Sequence, residues 1–229
     1  ATVPLYDPCC GSGTIPIEAA QIACGIAAGS QRRFGFEKLL PFQSHVWQGL
    51  KEEARAMEHS PTAPVFGSDV AHRMVDFAQR NAERAGVARA VQLRGGDALQ
   101  RMPPSEAPGI MLLNPPYGER IAAAGVAGRG RDNFVPGLLA AARTGQPREH
   151  REQVQTDDGG DFFLQLSAHW KKHFAGWSAW MLTPDLKLPG RMRLKESRRV
   201  PMWNGPIECR LFRFDLVAGS ARRDAGETP

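Results

Sequence analysis

Four short apolar runs in the first half of the chain each lead into a polar residue, and helical stretches separate several of them. Val3–Tyr6 stops at Asp7, and Ala63–Ser68 stops at Asp69. Ala90–Leu93 leads to Gly95-Gly96-Asp97, and Ile110–Leu113 stops at Asn114. Ile15–Ile26 reads as the helix after the first run, and Ala71–Ala85 as a helix ended by Gly86. Short strands alternating with helices predict a mainly parallel sheet with helices on both faces. Open sheets of this kind bind ligands beyond the carboxyl ends of their strands, where strand order reverses. The residues that close the four runs are therefore the first site candidates.

The first run enters a glycine turn, Asp7-Pro8-Cys9-Cys10-Gly11-Ser12-Gly13-Thr14. Glycines allow a tight turn and close approach of a ligand to the backbone. The free N–H groups of the following helix favour an electron-rich group, and Thr14 is the expected N-cap. Pro16 stands where a dinucleotide fingerprint has its third glycine, and no Gly-Lys-Ser/Thr follows as in a P-loop. A carboxylate at Asp7 suits a cationic, amino-acid-bearing ligand better than a pyrophosphate. S-adenosylmethionine has that chemistry. Asp69 could then accept from two ribose hydroxyls and Asp97 from the adenine amino group, with Val70 and Ala98 flanking the ring. The blander alternative for Asp69 is a helix cap.

The fourth run ends in Asn114-Pro115-Pro116-Tyr117. Two prolines remove two backbone donors and fix two φ angles, and a residue before proline is pushed towards extended backbone. The turn can hold an amide side chain, a carbonyl and an aromatic ring in one arrangement. That trio could grip an exocyclic amino group and stack the base that carries it. The alternative is a rigid strand-to-loop turn with Tyr117 packed on a neighbour.

Later elements are less regular. Residues 31–62 break the alternation with Phe34, Phe36, Phe42 and Trp47 and a helical stretch from Ser44 to Met57. They read as an insertion over the sheet edge or the pocket. Residues 118–160 are too long for an ordinary connection. Phe162–Phe174 reads as an amphipathic helix and Trp177–Leu182 as a fifth strand. Arg193–Met202 and Ile207–Leu216 flank an Asn204-Gly205 hairpin signal. Residues 218–229 are charged and small, and are expected to be a disordered tail.

Composition narrows the function classes. With 229 residues and 42% hydrophobic content the chain can build one sizeable α/β core. No apolar run nears the roughly 20 residues that span a membrane, and the first residues do not read as a signal peptide. Four cysteines without a C-x-x-C pair point to reduced thiols, a cytoplasmic setting and no zinc site. His169 and His173 stand four apart on a helix, but a packed or solvated pair explains them better than a metal. The net charge is +5. It is concentrated in Lys187, Arg191, Arg193, Lys195, Arg198, Arg199, Arg210 and Arg213, and in six arginines from Arg120 to Arg151. Such clusters suit a polyanion such as nucleic acid.

Taken together, Asp7–Ala20, Phe34–Lys38, Gly67-Ser68-Asp69, Asn81–Val87, Asn114–Arg120 and Asn204–Cys209 resemble the THUMP-associated bacterial 23S rRNA guanine-N2 methyltransferases, often labelled N6-adenine-specific DNA methylases. The resemblance implies a class I S-adenosylmethionine-dependent methyltransferase: α/β, Rossmann-like, a mainly parallel sheet with a C-terminal antiparallel hairpin. It implies a catalytic domain over 1–217, with an RNA-binding THUMP domain expected upstream in a longer protein. It implies methyl transfer from S-adenosyl-L-methionine to N2 of a guanosine in large-subunit rRNA, with no metal and no membrane. Asn114, Pro115, Pro116 and Tyr117 would be catalytic. Asp7, Cys9, Cys10, Gly11, Gly13, Thr14, Asp69, Val70, Asp97, Ala98 and Asn114 would hold the cofactor. Adenine-N6 methylation of DNA is the nearest alternative, and a catalytically silent RNA-binding module is the second. The long arginine-rich stretch at 120–160 departs from the short connection such a family would have.

Overall fold

The structure is a computed structural model that describes residues 2–115 and 158–217. In chain order its elements are β1 (Leu5–Asp7), α1 (Thr14–Ala23), a 3-10 turn (Gly35–Lys38), α2 (Ser44–Ala56), β2 (Val65–Asp69), α3 (His72–Arg84), β3 (Val91–Gly95) and β4 (Ile110–Leu113). They continue with α4 (Asp158–His173), β5 (Ser178–Thr183), α5 (Leu188–Arg191), β6 (Arg198–Asn204) and β7 (Ile207–Asp215). One seven-stranded sheet has the order β3-β2-β1-β4-β5-β7-β6. The first five strands pair in parallel, and β7 runs antiparallel to both β5 and β6.

Strand periodicity builds the larger core. Met111 and Leu113 of β4, Ala179 and Met181 of β5, and Phe212 and Phe214 of β7 alternate onto one face and are fully buried. Phe163, Leu166 and Trp170 of α4, and Phe174 just after it, cover them. Complete burial of each such side chain contributes about 1.5–3 kcal/mol. A second core joins Ile17, Ala20 and Ala23 of α1, and Ala82 of α3, to Val65 and Val91.

The expected elements are all present, with local corrections. α4 begins at Asp158, inside the stretch expected to be a loop as far as 160, and β6 begins at Arg198 rather than Arg193. Gly13, not Thr14, is the N-cap of α1: its φ of 88° is left-handed, and Thr14 is already the first helical residue. The helix ends at Ala23, short of the expected Ile26, because Gly25 adopts a left-handed φ of 69°. In the hairpin, Asn204 is the last residue of β6 and pairs with Ile207, so Gly205-Pro206 form the turn. The insertion is hydrogen-bonded to the far end of α1, where His59 and Thr62 donate their N–H groups to the carbonyls of Cys24 and Ala23. Phe34, Phe36 and Trp47 form its own aromatic cluster. The tail from 218 and the stretch from 116 to 157 lie outside the described residues, including Pro116, Tyr117 and the arginines from 120 to 151.

Gly109 shows how tightly β4 is set beside the start of the chain. A Cβ there would collide with the Pro4 carbonyl, whose oxygen accepts the Ile110 N–H at 2.8 Å. Gly109→Ala is expected to lower stability by about 1–3 kcal/mol in urea unfolding, the usual cost of overpacking. Gly190→Ala, where a Cβ meets nothing within 4 Å, should leave stability unchanged or slightly higher.

Candidate active site

The sheet order reverses between β1 and β4, and the polar residues gather at that point. Asp7 ends β1, Asp69 ends β2, Asp97 follows β3 by two residues, and Asn114 follows β4 directly. These are four adjacent strands in the order β3-β2-β1-β4. Register sets their heights: Asp7 lies opposite Gly67, and Tyr6 lies opposite Met111. Asn114 therefore stands about two residues further along the strand direction than Asp7.

Asp69 joins three loops. Its Oδ2 accepts the Gly11 N–H at 3.0 Å and its Oδ1 accepts the Ala71 N–H at 2.9 Å. Its main-chain carbonyl accepts the Gly96 N–H at 3.0 Å. The cap-like role and the ligand role are compatible, because each carboxylate oxygen keeps a second lone pair. Val70, next to it, is half-buried. Asp97 closes its own turn by accepting the Leu99 N–H at 2.9 Å. Ala98 is buried in the larger core, so its side chain supports the loop from beneath.

The glycine turn is held on several sides. The Cys10 N–H donates to the Ser68 carbonyl at 2.9 Å and the Gly13 N–H to the Cys10 carbonyl at 2.8 Å. Asn81 Nδ2 of α3 donates to the Ser12 carbonyl at 2.8 Å. The two glycines differ in purpose. A Cβ on Gly13 would lie 2.9 Å from the Ala78 Cβ, so this glycine serves the packing of α1 on α3. A Cβ on Gly11 would meet only the tip of Met74 at 3.9 Å, which leaves its surroundings open.

Asp7 is 1% exposed, and its Oδ1 accepts the Cys9 N–H at 3.0 Å. Burial, opposed by that bond and reinforced by the nearby Asp69 charge, pushes its carboxyl up to about 7. A buried carboxyl in this state is a natural counter-charge for a cation. Burial and the same two carboxylates push the Cys9 and Cys10 thiols well above their usual range. They are neutral packing groups under the turn, with Cys10 Sγ directed at the Gly11 carbonyl at 3.8 Å.

Asn114 is exposed at the mouth of the strand and Pro115 behind it is buried. Two supports were not singled out from the sequence. Tyr6 pairs its hydroxyl with Ser68 Oγ at 2.7 Å beneath the site, and Asn81 anchors the turn. The available signal was polar residues inside otherwise apolar patterns: Ser68 in a strand, and Asn81 between the buried Ala78 and Ala82. His169 and His173 do pack together, with ring centroids 4.8 Å apart and His169 Nε2 2.8 Å from the Arg101 carbonyl. Among the described residues no His, Cys, Asp or Glu cluster could hold a metal ion, and no helix is long and apolar enough to cross a membrane.

Comparisons with known proteins give the chain's family and fold. The family model of UPF0020, the RMKL-like methyltransferase domain, matches residues 1–130. Ribosomal RNA large subunit methyltransferase K/L of Shewanella baltica is 37% identical over 98% of this chain, which corresponds to 28% of its own length. The chain thus spans little more than a quarter of that curated relative. A possible methylase from Clostridium difficile superposes with a TM-score of 0.72 at 26% identity, over 95% of this chain and 49% of the other. A predicted N6-adenine-specific DNA methylase from Listeria monocytogenes gives 0.67 at 24% identity, over 93% and 46%. The sheet order and the closing antiparallel hairpin are those of the class I methyltransferase fold expected from the sequence. With its strand-end constellation and a match that covers more than half of its length, the chain belongs to the RMKL-like methyltransferase domain family.

Proposed function

We propose that this chain is the catalytic domain of an S-adenosylmethionine-dependent methyltransferase acting on an exocyclic amino group in large-subunit rRNA, N2 of a guanosine. The observation that carries this is the row of Asp7, Asp69, Asp97 and Asn114 at the ends of four adjacent strands, astride the point where strand order reverses. The family match and the rRNA methyltransferase name of the Shewanella relative support the substrate class. The excess of basic residues supports a polyanionic partner. An enzyme of this kind works in the cytoplasm, and the greater length of its relatives leaves room for the upstream THUMP domain that delivers RNA.

The residues present fit the cofactor. S-adenosylmethionine, when bound, supplies a methyl group on a sulfonium. The buried Asp7 carboxyl is a counter-charge for the cationic methionine end, and the open side of Gly11 admits it close to the backbone. Asp69 uses its remaining lone pairs for the ribose hydroxyls, and Asp97 accepts from the adenine amino group. Val70 flanks the ring, with Ala98 holding the adjoining loop.

Asn114 and Pro115 act on the target base. The Asn114 side-chain oxygen and the Pro115 carbonyl accept the two N–H bonds of the amine. This turns its conjugated lone pair towards the methyl donor and stabilises positive charge as it develops on nitrogen. Pro116 stiffens the turn, and Tyr117 stacks a base that has left its helix or loop. No side chain needs to act as a base, since the proton leaves to water after transfer.

Asn114→Ala is expected to retain cofactor binding and to lose methyl transfer by about 10²–10³-fold, the usual cost of removing one such charge-stabilising group. The assay uses labelled S-adenosylmethionine with unmodified rRNA, tRNA and DNA, followed by nucleoside analysis. N2-methylguanosine in rRNA is the expected product. N6-methyladenine in DNA would overturn the assignment of substrate, and full activity of the variant would remove Asn114 from the mechanism.

Asp7 adds a pH signature. Its folded value near 7 lies above that of an unfolded carboxyl. Between about pH 4 and pH 7 the unfolded chain therefore binds fewer protons, and stability falls as pH rises through that window. Asp7→Asn, which keeps an oxygen for the Cys9 N–H, should melt higher than the wild type at about pH 8, with the gap closing towards pH 4. Cofactor affinity of the wild type should rise with pH through about 7, whereas that of Asp7→Asn should be weaker and flat. Thermal shift with and without S-adenosylmethionine across the range reads both.

A further inference from the structure

Among the described residues, the β6–β7 hairpin carries a cluster of exposed side chains that the proposed chemistry does not use. Trp203 is 66% exposed, and Met202 and Ile207 are 40% and 45% exposed. The other four tryptophans, Trp47, Trp170, Trp177 and Trp180, are buried or half-buried. An aromatic ring of this size left in water at a hairpin tip contributes nothing to the core.

The register places the tip at the active end of the sheet. β7 pairs with β5 only as far as Arg210 opposite Thr183. Its pairing with β6 continues through Met202–Cys209 and Trp203–Glu208 to Asn204–Ile207. The tip therefore overhangs the sheet on the side where β5 ends. Leu113 pairs with Met181, so Asn114 is level with Leu182 on that same side. Trp203 stands about 7 Å beyond the end of β5 at ordinary strand rise, and three strand spacings, about 14 Å, to the side of Asn114.

The hairpin and the segment that leads into it carry net positive charge. From Arg193 to Arg213 there are six cations, Arg193, Lys195, Arg198, Arg199, Arg210 and Arg213, against Glu196 and Glu208. Cross-strand pairing sets Trp203 on the same face as Arg199 and Arg210. Arg199 is paired to Glu196 at 2.6 Å and Arg210 to Glu208 at 2.8 Å, while Arg213 is paired to Asp215 at 2.8 Å. Those guanidiniums are held in place by their partners, and Arg193, Lys195 and Arg198, at the far end of the hairpin about 17 Å from Trp203, supply its net charge. A large exposed ring at the active end of the sheet, with two guanidiniums on its face and a net positive hairpin behind it, suits single-stranded nucleic acid, whose phosphates meet the cations while a base meets the ring.

We propose that the β6–β7 tip is a stacking platform on which Trp203 holds an unpaired base of the RNA strand, a few nucleotides from the base at Asn114. The proposal rests on the assignment of RNA as substrate and adds to it the surface that positions the flanking strand. Phosphates of that strand meet Arg199 and Arg210, the guanidiniums on the face of Trp203.

The test uses the 229-residue chain and a fluorescein-labelled single-stranded RNA of mixed sequence. Trp203→Ala should weaken RNA binding by about tenfold, and Trp203→Phe should stay within about threefold of the wild type, because either ring can stack. RNA should quench the wild-type tryptophan emission, and the quench should be absent from Trp203→Phe. In methyl transfer, Trp203→Ala should raise KM for RNA with kcat little changed, while the thermal shift with S-adenosylmethionine stays as in the wild type. RNA affinity and KM equal to wild type in Trp203→Ala would overturn the platform, and the same result with a lost self-association in sedimentation would assign the tip to a protein contact instead. If the wild type binds RNA through Trp203 yet methylates none, the platform stands and the catalytic assignment fails. If it methylates RNA and Trp203→Ala does so equally well, the platform alone fails.

Discussion

The Asp69 carboxylate is the constraint on which the site depends. Parallel strands share no short turns, so the loops at their carboxyl ends have no local reason to sit together. Asp69 ties three of them: the glycine turn through Gly11, the start of α3 through Ala71, and the loop after β3 through Gly96. One residue thus fixes the relative positions of the groups around the proposed cofactor site before any ligand arrives. Each of its charge-assisted bonds is worth more than a neutral one, and losing both would release the turn as well as one proposed ribose contact. Structural and binding roles cannot be separated at this residue by a single substitution.

Electrostatics set against this order give the site its preference. Asp7, Asp69 and Asp97 close three neighbouring strands. The Asp69 charge adds to burial in raising Asp7. In the folded chain this is a local instability, held in place by the surrounding cores. A cation at Asp7 would relieve it, whereas a pyrophosphate would aggravate it. Burial and the same field favour neutral thiols at Cys9 and Cys10.

Much of this was legible in the sequence because strand ends carry a strong signal. An apolar run that stops at Asp or Asn marks both a boundary and a candidate group, and Asp7, Asp69 and Asn114 fell where the runs predicted. Helix ends were less legible. Gly13 and Gly25 decide where α1 begins and stops through left-handed backbone, and a glycine-rich stretch offers several positions that could do so. Long-range bonds were not legible at all. The Asn81 amide reaches Ser12 across 69 residues, and the Tyr6–Ser68 hydrogen bond spans two strands. No local pattern encodes either pairing. Pro116 and Tyr117 remain expectations from the sequence, since they lie outside the described residues.

Pro16 explains how this turn differs from a dinucleotide-binding one. There the third glycine lets the first helix approach the sheet closely, and here that place holds a proline. The room comes from the opposite side instead. A Cβ on Gly67 of β2 would lie 3.2 Å from Pro16 Cγ, 3.3 Å from Cys10 Cβ and 2.8 Å from a Leu93 methyl. The missing side chain has moved from the helix to the strand beneath it. Pro16 is then free to stiffen the first turn of α1, a position where its missing N–H costs no helical hydrogen bond. Gly67 pairs directly with Asp7, so the residue that admits the helix also sits beside the carboxyl proposed to face the ligand. Close helix packing and the proposed cation preference therefore depend on the same few atoms at the β1–β2 junction, and a side chain added at Gly67 would disturb both at once.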